Sequence, residues 1–70
     1  MILVIDVGNT NTVLGVYDGD DLIANWRMTT EKSKTADEVG IFIHSLFEYE
    51  RINVEKLDDV IISSVVPNVP

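Results

Sequence analysis

Seventy residues, 46% of them hydrophobic, carry five basic and twelve acidic side chains for a net charge of −7, with no cysteine. This balance repels a nucleic-acid backbone, and no basic stripe interleaved with aromatics offsets it, so nucleic-acid binding is excluded as the main function. Without disulfides or a Cys/His cluster for zinc, a core this small is marginal, and a larger body or a partner is expected to support it.

Met1 leads directly into an apolar run over residues 1–5, with no basic n-region, cleavage site or membrane-length stretch. With the lack of cysteine, this predicts a cytoplasmic protein with no membrane partner. The polar segment Asp6, Val7, Gly8, Asn9, Thr10, Asn11, Thr12 follows, and a second apolar run occupies residues 13–17. Two strands joined by a hairpin are the natural reading. A carboxylate ending the first strand can hold magnesium, directly or through water, and Gly8 lets backbone approach an anion. Asn9, Thr10 and Thr12 add side-chain donors beside backbone N–H groups turned inward by the bend, the concave anion site that a nucleoside triphosphate requires. Acidic net charge does not forbid ATP, because magnesium and local donors decide that contact. A P-loop is excluded, since the segment lacks GxxxxGK[ST] and does not open a helix; GxGxxG is absent too. The alternative is a plain hairpin in which Asn, Gly and Thr only satisfy their own backbone.

Further along, Asp18-Gly19 predicts a tight two-residue hairpin loop, and residues 22–28 read as a third strand. Alternation there places Leu22, Ala24, Trp26 and Met28 on one apolar face, with Trp26 in the core rather than serving as a stacking platform. After a polar connector over residues 29–34, Thr35 and Glu38 match a capping box that starts a helix. Val39, Phe42, Ile43 and Leu46 form its apolar stripe, widened by Phe47 and Tyr49, and Asn53 closes the segment. Residues 57–64, centred on Val60-Ile61-Ile62, predict a largely buried strand, returned parallel by the long crossover. Pro67 and Pro70 end the regular pattern. The expected class is α/β, in the order strand, strand, strand, helix, strand.

A DVGNTNT hairpin at the start, the meander, the Lys34-Thr35-Ala36-Asp37-Glu38 helix start and the Ser63-Ser64-Val65-Val66-Pro67 stretch together resemble type III pantothenate kinase. That family belongs to the acetate and sugar kinase, Hsp70 and actin superfamily. The resemblance implies the first part of an actin-like ATPase domain with a ribonuclease-H-like fold. It also implies transfer of the ATP γ-phosphate to the primary hydroxyl of pantothenate, with residues 6–13 (Asp6 to Val13) binding ATP and Asp6 serving the magnesium. A monovalent cation, K+ or NH4+, and a homodimer are implied as well. The family's general base lies in a GxDR motif, which this sequence does not contain, so no catalytic base is expected within it and the segment alone is expected to be inactive. From other classes, the alternatives are an actin-like assembly protein and a ligand-free interaction module.

The remaining chemistry-bearing residues have ordinary explanations. His44 stands one helical turn before Glu48 and reads as a solvated helix residue. Ser63 and Ser64 lack the GxSxG elbow, though the end of a parallel strand suits a ligand-lining role. Asp18, Asp20 and Asp21 are too few and too close for an EF-hand and read as a solvated hairpin tip. Asp58 and Asp59 mark the exposed start of the last strand. Arg27, Lys32 and Lys34 surround the connector, where an anion-binding cluster is the lesser reading.

Overall fold

The computed structural model describes residues 1–31 and 33–64. Lys32 and the Val65, Val66, Pro67 and Pro70 singled out above lie outside the described residues. The elements are β1 (Ile2–Val7), β2 (Asn11–Asp18), β3 (Asp21–Thr29), α1 (Ala36–Tyr49) and β4 (Asp59–Ser64), the order expected from the sequence. They build one mixed sheet with strand order β3-β2-β1-β4. The β1–β2 and β2–β3 pairs are antiparallel hairpins, and β4 returns beside β1 in parallel.

Alternation along the strands divides the sheet into two unlike faces. Leu3 and Ile5 of β1 and Leu14 and Val16 of β2 point to one side and are buried there with Phe47 of α1. Trp26 packs against this cluster, its ring centroid 5.9 Å from that of Phe47 with the planes tilted by 32°. Its expected place in the core is therefore the observed one. The Trp26 Nε1–H is buried without an acceptor among the described residues.

Gly19 occupies the first central position of the two-residue β2–β3 loop with φ of 62°, as a type II′ turn requires. The third-strand pattern departs from simple alternation at one point. The register shifts at Val16/Tyr17, so that Ala24 faces Val16 while Leu22 faces Tyr17. This bulge turns Leu22 onto the opposite face, where a Cβ placed on Gly15 would lie 3.3 Å from Leu22 Cδ1. Leu22 is thus parted from Trp26 and Met28, contrary to the alternation.

Helix α1 starts as its capping box dictates. The Glu38 N–H donates to Thr35 Oγ1 at 3.2 Å, and the Thr35 N–H donates to Glu38 Oε1 at 3.0 Å. Accepting that backbone N–H is the main cause that holds the Glu38 carboxyl below its usual range. The buried stripe is narrower than expected: Phe47 is enclosed, Val39, Ile43 and Leu46 are half-buried, and Phe42 and Tyr49 are exposed, Tyr49 by 83%. Asn53 does not close the helix. The chain leaves it earlier through Arg51, at φ 59°, with Ile52 N–H bonded to Phe47 C=O and Arg51 N–H to Glu48 C=O. These two bonds form a Schellman motif with arginine where glycine is usual. Asn53 instead caps a short 3₁₀ turn over Val54–Lys56, its Oδ1 accepting from the Glu55 N–H.

The largest correction concerns β4, which is exposed along its whole length rather than buried. Its apolar run would suit a strand covered on both faces, but it forms the sheet edge and α1 packs over β1 and β2 instead. Asp58 and Asp59 mark its exposed start as expected, and the Met1 ammonium pairs with Asp58 Oδ2 at 2.6 Å.

Two stability measurements test this packing. Phe47→Ala empties the centre of the cluster and is expected to cost about 3–5 kcal/mol in denaturant titration, enough to unfold a small domain. Arg51→Gly relieves the left-handed conformation and is expected to stabilise by roughly 0.5–1 kcal/mol.

Candidate functional site

The polar segment turns much more tightly than its length suggests. Asp6 and Val7 still belong to β1, and Asn11, Thr12 and Val13 already belong to β2, with Val7 paired to Thr12. Only Gly8, Asn9 and Thr10 make the bend. It is closed by the Gly8 N–H, which donates to the Asn11 C=O at 2.9 Å. A Cβ at Gly8 would stand 2.8 Å from that same carbonyl oxygen, closer than real Cβ contacts come, so only glycine fits without moving backbone.

At the exposed tip, the amide N–H groups of Asn9 and Thr10 have no acceptor among the described residues. Asn11 Nδ2 donates to Thr10 Oγ1 at 3.3 Å, which orders the two side chains against each other. Exposed Asp6 stands on the face away from α1, in one row across the sheet with Ser63 of β4, Val13 of β2 and Arg27 of β3. The row brings Ser63 beside Asp6, the lining position suggested by the end of a parallel strand. A shallow hollow of about 230 Å³ opens on this face, bordered by Val4, Asp6, Val13, Tyr17, Leu22 and Asn25.

Thr12 faces the other way. It is buried on the side of Leu14 and Val16, its Oγ1 2.9 Å from Thr30 Oγ1. Thr30 Oγ1 donates in turn to the Gly8 C=O at 2.8 Å, and the Thr30 N–H donates to the Thr10 C=O at 2.9 Å. Sequence reasoning missed Thr30. The β2–β3 register carries the signal, but the bulge shifts it by one residue, so counting back from the Gly19 loop misplaces the partner.

Among the described residues, Arg27 and Lys34 do not come together as a cationic cluster. Arg27 shares the row of Asp6, whereas Lys34 borders an apolar groove beside the start of α1 on the opposite face. His44 Nδ1 lies 3.7 Å from Glu48 Oε1, both exposed, in keeping with a solvated helix pair. No group of three metal-ligating side chains occurs among the described residues. Asp6 is the only carboxylate within residues 6–13, so a hard cation held by it would complete its oxygen shell with water and ligand oxygens, an arrangement usual for magnesium.

Comparison with known proteins is decisive at the family level. A family model for type III pantothenate kinase matches residues 2–70. The chain belongs to the type III pantothenate kinase family. The type III pantothenate kinase of Geotalea daltonii is 60% identical over 67 residues, covering 96% of this chain and 26% of that protein. The Exiguobacterium protein of the same name is 56% identical over 69 residues, covering 99% of this chain and 27% of its own length. A third, from Geotalea uraniireducens, is 57% identical over 67 residues. The chain therefore spans about a quarter of the length of these type III pantothenate kinases. The bend and its flanking strands fall inside the matched residues. Among the described residues, no helix is long and apolar enough to cross a membrane.

Gly8→Ala tests the geometry of the bend. The added methyl group has to displace the Asn11 backbone, and the expected result is a loss of about 1–3 kcal/mol in stability, read by thermal or denaturant unfolding.

Proposed function

We propose that this chain supplies the ATP phosphate-binding hairpin of an enzyme that phosphorylates pantothenate to 4′-phosphopantothenate, the first step of coenzyme A synthesis. One observation carries the reading: a bend that admits only glycine presents two amide N–H groups, without an acceptor among the described residues, at the end of the strand that holds Asp6. Donors of this kind fit an anion, and an exposed carboxylate beside them fits its divalent counter-ion. Family membership supplies the reaction class.

In this reading the Asn9 and Thr10 amides and side chains hold the β- and γ-phosphates, and the bend from Asp6 to Val13 forms the phosphate segment. Asp6 orients the magnesium ion and its water shell. The cation, when bound, neutralises charge on the phosphates. Phosphoryl transfer asks mainly for positioning and charge stabilisation, so the hairpin provides one half of the catalyst. Ser63 lines the site next to Asp6. The general base on the pantothenate hydroxyl belongs to a GxDR motif absent from this sequence, and the seventy residues alone are expected to be inactive. The ribonuclease-H-like fold accords with three meandering strands, a helix and a parallel return beside β1. A monovalent cation, a homodimer and a cytoplasmic location complete the proposal on the strength of the family resemblance.

Asp6→Asn in the intact kinase keeps the shape of the side chain and removes its charge. The expected outcome is a fall in kcat on the order of a hundredfold in a pantothenate-dependent ATP assay. Near-normal turnover would remove Asp6 from the site.

A further inference from the structure

We propose that Thr30 is a positioning residue for the phosphate hairpin, holding the Gly8 and Thr10 peptides so that the amides between them face the ligand. The inference rests on the reading of that hairpin as the ATP phosphate site and names a residue that the motif does not contain.

Hydrogen counting fixes the direction of the network. The Gly8 C=O can only accept, so the single hydroxyl hydrogen of Thr30 goes to it at 2.8 Å. The 2.9 Å contact between the two hydroxyls must then be donated by Thr12. The result is a relay from Thr12 through Thr30 to Gly8, with the buried Thr12 hydroxyl hydrogen engaged inside the protein. Thr12 therefore serves the site through this relay rather than by donating to phosphate.

Peptide geometry carries the effect to the tip. A trans peptide unit is planar, and its C=O and N–H point in opposite directions. With the Gly8 C=O drawn towards Thr30, the Asn9 N–H of the same unit is directed away from Thr30 and out of the fold. The Thr10 C=O is drawn to the Thr30 N–H at 2.9 Å, so Thr30 secures the chain on both sides of the tip residues Asn9 and Thr10. Glycine makes such a hold necessary. With no Cβ on Gly8, the following peptide turns over at less cost than after other residues, and the Thr30 hydroxyl bonded to the Gly8 C=O selects one orientation.

The test uses the intact kinase with four changes: Thr30→Ser, Thr30→Val, the pair Thr12→Val with Thr30→Val, and Asp6→Asn. Thr30→Val keeps the shape and loses the hydroxyl, and the KM for ATP is expected to rise about tenfold while the KM for pantothenate stays put. Thr30→Ser, which keeps the donor, is expected to remain within about twofold of the parent. The double variant leaves no orphaned buried hydroxyl, so it guards against simple misfolding, and it is expected to melt near the parent yet keep the raised KM for ATP. Equal rises in both KM values, no rise in either valine variant, or a serine variant as weak as the valine one would overturn the proposal. If the valine variants behave like the parent while Asp6→Asn abolishes Mg-ATP binding in calorimetry, Thr30 positioning alone is wrong. If Asp6→Asn binds Mg-ATP normally, the hairpin reading fails and takes this inference with it.

Discussion

The contact between Gly8 N–H and Asn11 C=O is the constraint on which the remaining structure hangs. It closes β1 onto β2 over three residues, and it exists because glycine brings no Cβ to a place where one would strike that carbonyl. The closure sets the antiparallel register that pairs Ile5 with Leu14 and Leu3 with Val16, and so decides which side chains become core. By the same parity it sends Asp6 and Val13 to the opposite face. A slip of one residue would bury Asp6 and expose the core, so site and stability are fixed together.

The two faces of the sheet are unlike in chemistry as well as in burial. One buries Leu3, Ile5, Leu14 and Val16 beneath Phe47 and Trp26, whose ring centroids lie 5.9 Å apart, and is open over β4, where Val60 and Ile62 are exposed. The other carries Ser63, Asp6 and Arg27 in one row at the end nearest the bend. Exposed Ile61, Tyr17 and Leu22 share that second face, so it is apolar towards one end and charged towards the other. The proposed phosphate site lies at the charged end, where the Asn9 and Thr10 amides of the tight bend have no acceptor among the described residues.

Much of the fold was legible because local signals agreed with it. The apolar runs, the Asp-Gly loop and the Thr35–Glu38 box each specify an element without help from distant residues, and each was found. What escaped depends on contacts that sequence spacing does not encode. Leu22 changed face because a bulge inserts one residue into an otherwise regular alternation. The helix ended early because Arg51 adopts a left-handed conformation that its residue type does not advertise. Burial of β4 was misjudged because an apolar run reports what a strand can pack against, not whether a covering element is present. At the candidate site, the glycine, the carboxylate and the amide-rich tip were visible as residue types in one short segment. Thr30 was invisible there, since it lies just past the end of β3 and reaches the bend only through the pairing of β3 with β2.

A crystal structure of the intact kinase with magnesium and a non-hydrolysable ATP analogue tests the central claim most directly. The account places phosphate oxygens within about 3 Å of the Asn9 and Thr10 amide nitrogens, with Asp6 reaching the metal or one of its waters. Nucleotide bound elsewhere, with only solvent at the bend, would contradict it.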